Sequence, residues 1–280
     1  MQVIRTISQL QEILDKARAN KKRIGLVPTM GALHEGHASL VRKSVSENDI
    51  TVVSIFLNPT QFNDPKDLER YPRTLESDCD LLEKCGAQIA FAPSVEEVYP
   101  ETDTRSFSYP PTDTVMEGEK RPGHFNGVCQ IVSKLFYITN PDNSYFGEKD
   151  YQQIAVIRRM TEDLGFKTTI IPCPVIREEN GLAMSSRNTL LTKEEKVVAA
   201  NIYRVLSESK NTQMSLKETE SWVIDTINSI DGLVVEYFNI VNGLTLASID
   251  SWDDANNVVG CITVYCGKTP IRLIDHIRYK

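Results

Sequence analysis

The chain has 280 residues, 41% hydrophobic and 25% charged, with a net charge of -7; this suffices for one large domain or two unequal ones around a sizeable core. The acidic balance argues against a broad nucleic-acid or membrane-binding surface, and no apolar run approaches the ~20 residues of a membrane helix. Residues 1–5 lack the apolar stretch of a secretion signal, so the expectation is a cytoplasmic protein with neither nucleic-acid nor membrane partners.

Residues 6–20 predict an amphipathic helix, capped by Thr6, with Ile7, Leu10, Ile13, Leu14 and Ala17 on one face. Residues 24–27 form a short, wholly apolar run of the kind buried in a parallel sheet. The stretch PTMGALHEGH at 28–37 follows, and then apolar residues at helical spacing from Ala38 to Val45. That pattern reads as strand, glycine turn and helix start. A second apolar run at 51–57 ends at the polar turn 58–63, where Pro59 stops the strand. A helix over 75–85 stops at Gly86, and a third short strand covers 89–92. Ser94 can cap a brief helix to Tyr99, and 102–123 reads as a long loop with short extended pieces. A helix is expected over 128–139, a strand over 144–146, a helix over 151–164 and a proline-interrupted strand over 168–176. Strands alternating with helices imply a mostly parallel sheet. The alternation changes near Ile176: a polar loop over 177–188, amphipathic helices over 192–208 and 216–230, then strands over 234–241, 258–265 and 271–277. The reading is therefore α/β, with a Rossmann-like parallel-sheet domain at 1–176 and a smaller C-terminal α+β lid and sheet domain at 177–280. The six cysteines form no C-x-x-C pair and several sit in apolar runs, so buried reduced thiols are expected.

In a parallel α/β sheet, ligands bind beyond the carboxyl ends of the strands. Four polar motifs fall at such ends: 28–37, Asn58 to Gln61, Gly147 to Asp150, and Met184 to Arg187. Together they suit nucleotidyl transfer, in which phosphate charge is stabilised while pyrophosphate leaves. His34 and His37 at a helix start can donate to phosphate oxygens. Lys149 supplies a point charge, Arg187 a planar fork on a loop able to close, and Ser185 and Ser186 further donors. Gln61 and Gln153 are neutral amides, better suited to a small hydroxy acid than to a phosphate. No G-x-x-x-x-G-K-[ST] or G-x-G-x-x-G is present, which disfavours a P-loop phosphotransferase or a dinucleotide oxidoreductase. A plain nucleotidylyltransferase and an ATP-sensing module are the competing readings.

The segments PTMGALHEGH (28–37), NPTQF (58–62), YPRT (71–74), RPGHF (121–125), GEKDYQQ (147–153) and GLAMSSRN (181–188), in that order, resemble the pantoate–β-alanine ligase family. The likeness spans almost the whole chain. It implies a homodimer that uses ATP and Mg2+ to condense (R)-pantoate with β-alanine, through pantoyl adenylate, releasing pyrophosphate and AMP. By that likeness Met30, Gly31, Ala32, Leu33, His34, Glu35, Gly36 and His37 line the ATP site, with His37 as proton donor. Gly147, Glu148, Lys149, Asp150, Ile176, Met184, Ser185, Ser186 and Arg187 also contact the nucleotide, and His37, His34, Lys149 and Arg187 form the catalytic set. Gln61 and Gln153 bind pantoate, Gln61 also lies near β-alanine, Asn58 and Arg121 stand in the same neighbourhood, and Asp78 helps to hold the metal. Ala38, where a leucine is common, and Asn126, where a charged residue is frequent, depart from the family pattern.

Overall fold

Six parallel strands form the centre of the computed structural model, which describes residues 1–62, 68–69 and 71–280. They are β1 (Gln2–Ile4), β2 (Ile24–Thr29), β3 (Ile50–Ile55), β4 (Ile89–Phe91), β5 (Asn143–Gly147) and β6 (Thr169–Cys173), in the order β1-β4-β3-β2-β5-β6. Both faces are covered, which is why the strands are apolar without alternation. Leu26 and Val52 point to one face, packing with Leu10 and Leu14 of α1 (Ile7–Ala19) and with two later helices. Val27 and Val53 point to the other, against Val41 of α2 (Glu35–Glu47) and Leu82 of α3 (Leu75–Lys84). The later helices are α4 (His124–Thr139) and α5 (Tyr151–Asp163). β2 lies between β3 and β5, so the chain runs to one side after β2 and returns on the other. The carboxyl ends of β2 and β5 therefore flank the crevice at which such sheets bind ligands.

Several local expectations change. β1 was not anticipated: three residues, one of them Gln2, carry too little pattern, and pairing with β4 makes the strand. α4 begins at His124 rather than at residue 128, although Gly127 lowers its helix propensity. A Cβ at Gly127 would overlap the Thr60 carbonyl, so the glycine lets the 58–61 turn rest on the helix. β6 ends at Cys173, just before Pro174. The helix expected over 192–208 is two, α6 (Lys193–Ala199) and α7 (Asn201–Ser209), abutting at Ala200. Asn63 of the expected polar turn lies outside the described residues.

The C-terminal unit is an antiparallel meander of β7 (Leu233–Asn242), β8 (Val258–Cys266) and β9 (Ile271–Arg278), covered by α7 and by α8 (Leu216–Asn228). Its own core includes Val205, Leu206, Val223, Ile227, Phe238 and Ile262. Ion pairs join it to the parallel-sheet unit. Arg272 of β9 donates to both Glu117 oxygens at 2.8 and 2.6 Å. Arg278 reaches Glu148 at 3.1 Å. Where the chain enters the C-terminal unit, Arg177 donates to both Asp275 oxygens at 2.6 and 3.0 Å and ties that entry to β9. Among the described residues, no helix is long and apolar enough to cross a membrane, and all six cysteines are free.

Candidate active site

The turn after β2 builds the site. His34 is the N-cap of α2, and its Nδ1 accepts from the Gly36 N–H at 3.1 Å. His37, three residues on, returns the bond: its Nδ1 accepts from the His34 N–H at 3.3 Å. Two histidines thus form the reciprocal cap usually made by a hydroxyl and a carboxylate. Because a backbone N–H can only donate, each Nδ1 must be the unprotonated nitrogen, and each Nε2 carries the hydrogen. The rings lie 4.2 Å apart. Burial above all, with the nearby Lys149 charge, lowers the His34 pKa from 6.5 to about 4. Burial, then His34 and Lys149, lower that of His37 to about 3. Both rings are neutral single donors at physiological pH. Gly36 is required by this arrangement: a Cβ there would stand 2.8 Å from His34 Cε1 and 2.9 Å from its Nδ1.

Asp78 supports the turn from behind. Its carboxylate accepts from the Ala32 N–H at 3.0 Å, the Leu33 N–H at 2.8 Å and the Thr74 hydroxyl at 3.1 Å. Ala32 has φ 51°, a left-handed conformation disfavoured for a residue with a Cβ, and these bonds hold it there. At 2% exposure and with both oxygens taken, Asp78 does not fit the metal role expected of it. Among the described residues, no three of His, Cys, Asp and Glu gather as a metal cluster.

Gln61 lies in the helical turn Pro59–Gln61 after β3. Its amide nitrogen approaches Met30 Sδ at 3.2 Å, and its Oε1 accepts from Asn58 Nδ2 at 3.1 Å. Asn58 also donates to the Gly127 carbonyl at 3.1 Å and accepts from the Tyr99 hydroxyl at 2.8 Å. At 1% exposure it is chiefly a brace for Gln61. The side chain of Gln153, in the first turn of α5, has no hydrogen-bond partner among the described residues, whereas Gln152 beside it is spent on the Thr112 and Val115 carbonyls.

Two adjoining cavities result. One of about 210 Å³ lies at the β2–β5 crevice and is lined by Met30, His34, Gly36, His37, Asn58, Gln61, Gly147, Lys149, Asp150, Gln153, Ile176 and Met184 to Arg187. The other, of about 760 Å³, opens between the units and adds Arg121, His124, Tyr237, Tyr265, Arg272 and Asp275. Lys149 and Arg187 line both. The loop bearing Arg187 is held by the Met184 N–H donating to the Ile176 carbonyl at 2.9 Å and by Tyr71 meeting Ser186 at 3.3 Å.

Most expected residues converge here, but not all. Gly31, Ala32 and Leu33 form the turn behind the crevice and line neither cavity, and Glu35 turns outward to pair with Arg42. Glu148 likewise faces Arg278 rather than the crevice. Arg121 lines only the larger cavity. Three contributions received no role from the sequence: Tyr71, the Val128–Ile131–Val132–Leu135 wall of α4, and the β7–β9 side chains. The helical periodicity of 128–135 signals burial, not against what. Of the two departures from the family pattern, Ala38 is buried in the sheet core, and Asn126 accepts from the Phe107 N–H at 2.8 Å.

The sequence model described as Pantoate-beta-alanine ligase matches residues 2–278. A pantothenate synthetase from Bacteroides thetaiotaomicron is 59% identical over 282 residues, covering 100% of this chain and 99% of that protein. One from Phocaeicola vulgatus is 59% identical over 283 residues, covering 100% of both. The solved pantothenate synthetase from Thermus thermophilus superposes with a TM-score of 0.92 at 38% identity, covering 100% of this chain and 99% of the other. The pantoate-beta-alanine ligase from Francisella tularensis, solved with beta-gamma ATP and beta-alanine, gives 0.84 at 37% identity over 100% and 98%.

Proposed function

This chain belongs to the pantoate–β-alanine ligase family, ATP-dependent enzymes that form the amide bond of pantothenate, and from that premise we propose how its own residues carry the reaction. In the first step a pantoate carboxylate oxygen attacks the α-phosphorus of ATP. The bond from that phosphorus to the bridging oxygen breaks, and pyrophosphate leaves with the electron pair. In the second the β-alanine amine attacks the acyl carbon. The bond to the AMP oxygen breaks, and the amine gives up a proton.

The paired back-bonding of His34 and His37 carries this reading. It commits each Nε2–H as a neutral donor to phosphate oxygens, so that His37 serves as a hydrogen-bond donor rather than an acid. Lys149 and Arg187 line both cavities and add charge along the path of the departing pyrophosphate. Gln61 and Gln153 take the hydroxyl and carboxylate groups of pantoate, with Asn58 bracing Gln61. The Val128–Leu135 wall suits the dimethyl carbon of pantoate. Arg121, in the larger cavity, receives the β-alanine carboxylate. Among the described residues none build a resident metal site, and Mg2+ belongs with the ATP phosphates as part of that substrate. The test is product timing: pyrophosphate should appear with ATP, Mg2+ and pantoate alone, and AMP with pantothenate only after β-alanine is added. Pyrophosphate that appears only with β-alanine would sink the adenylate.

The family's homodimer has a candidate seam here. From Thr102 to Pro110 exposure alternates strictly, with Asp103, Arg105, Phe107 and Tyr109 inward. The inward edge is tied down: Asn126 takes the Phe107 N–H, and Gln130 donates to the Asp103 and Arg105 carbonyls. Among the described residues, the backbone of Thr104, Ser106 and Ser108 has no partner, an extended edge whose three outward side chains are small and uncharged. Antiparallel pairing with the same strip of a second copy would complete it, and Ser106→Pro should then lower the solution mass. The free cysteines support a cytoplasmic setting.

A further inference from the structure

The larger cavity is lined by a side chain that none of these roles uses. His124 opens α4 and is 8% exposed. Its Nδ1 lies 2.9 Å from the carbonyl oxygen of Gln61, and its Nε2 lies 3.2 Å from Arg121 Nη1. A carbonyl only accepts and a guanidinium only donates. Nδ1 must therefore carry the hydrogen and Nε2 the lone pair, so one neutral ring spends both nitrogens on two different segments. Burial, then the Arg121 charge, lower its pKa to about 4, which keeps that tautomer in place at physiological pH.

Each partner leads to a different cavity. The Gln61 backbone rests on α4 at Gly127, while its side chain lines the crevice. Arg121 lines the cavity between the units. We propose that His124 is a positioning residue that sets Gln61 for the acid substrate and Arg121 for the carboxylate of the amine substrate, across the wall the two pockets share. The proposal rests on the roles given above to Gln61 and Arg121. A merely packed histidine, tilted against Phe125 with ring centroids 5.1 Å apart, would serve neither substrate separately.

Two half-replacements separate the bonds. His124→Asn keeps an amide N–H near Nδ1, so Gln61 retains its donor while Arg121 loses its acceptor. His124→Gln places an amide oxygen near Nε2, so Arg121 is kept and the Gln61 carbonyl is left unpaired. Steady-state kinetics with the other substrates saturating should show opposite signatures. The Asn variant raises the KM for β-alanine about tenfold with that for pantoate little changed, and the Gln variant does the reverse, the scale of one lost hydrogen bond. Parallel changes in both variants, no change in either, or failure of both to fold would each overturn the proposal. Gln61→Ala and Arg121→Ala are measured alongside. If they leave the KM values for pantoate and β-alanine unmoved, the assignment of substrates falls and takes the proposal with it. If they raise them and the His124 variants do not, only the positioning role falls.

Discussion

The turn after β2 borders the smaller cavity and the joint between the two units borders the larger one, and each is held by different means. Around the turn the bonds are local: His34 and His37 cap one another across three residues. At the joint they are long-range: Glu117 and Arg272 are separated by 155 positions, and Glu148 and Arg278 by 130. The local set fixes the two imidazoles at the crevice without any contact from the second unit. The long-range set decides how the second unit closes the larger cavity. Damage to the first should appear in turnover, and damage to the second in stability.

Lys149→Ala should give the largest effect. Its side chain is mostly buried and lines both cavities, so pantoate-dependent pyrophosphate release should fall roughly 100- to 1,000-fold at unchanged melting temperature. A loss below tenfold would take Lys149 out of the transition state. Gly36→Ala comes next. The new Cβ displaces the His34 ring from the Gly36 N–H, so kcat should drop on the order of tenfold or more while the lost cap costs only about 1 kcal/mol in urea unfolding.

Arg272→Met tests the other side. Among the described residues, it leaves the buried Glu117 carboxylate with the Tyr237 and Thr263 hydroxyls as close partners and Arg121 at 3.8 Å. Breaking a buried pair costs about 3 kcal/mol, so urea unfolding should show the loss with kcat changed far less than in Lys149→Ala. Arg278→Ala, at a more exposed pair, should cost under about 1 kcal/mol. Equal losses from the two would contradict the account of the joint.

A pH slope tests the turn and α4 together, without a substitution. His34, His37 and His124 have folded pKa values of about 4, 3 and 4, below the ordinary 6.5. The unfolded chain therefore takes up protons that the folded one refuses. Stability should be flat above 6.5 and fall as the pH drops from 6.5 toward 4. Burial alone would raise the Glu117 pKa, but Arg272 overrides it and holds it at about 2, so its contribution is lost between about 4.5 and 2. Urea midpoints at pH 7.5, 6 and 5 read the histidine part; a flat series would refute the neutral buried rings.

Much of this was legible without coordinates. Apolar runs of four to seven residues marked β2, β3 and β4, because a strand covered on both faces must be apolar throughout. The polar motifs after β2, β3 and β5 declared themselves by interrupting those runs. β1 was too short to carry a pattern, and the His124 end of α4 was hidden by Gly127, whose reason lies in the approach of Thr60.

The order of residues was enough to specify the sheet, which follows from periodicity, and to mark the family, through the resemblance carried by six motifs spread from 28 to 188. It marked Asp78 as acidic and close to the motifs, but could not say that its oxygens face the Ala32 and Leu33 amides instead of an ion. Folding settled that, along with the tautomers of three histidines and which arginine closes on which carboxylate. One cause underlies all three. A hydrogen bond or ion pair between distant residues depends on distance and direction, and neither is written in the order of the residues.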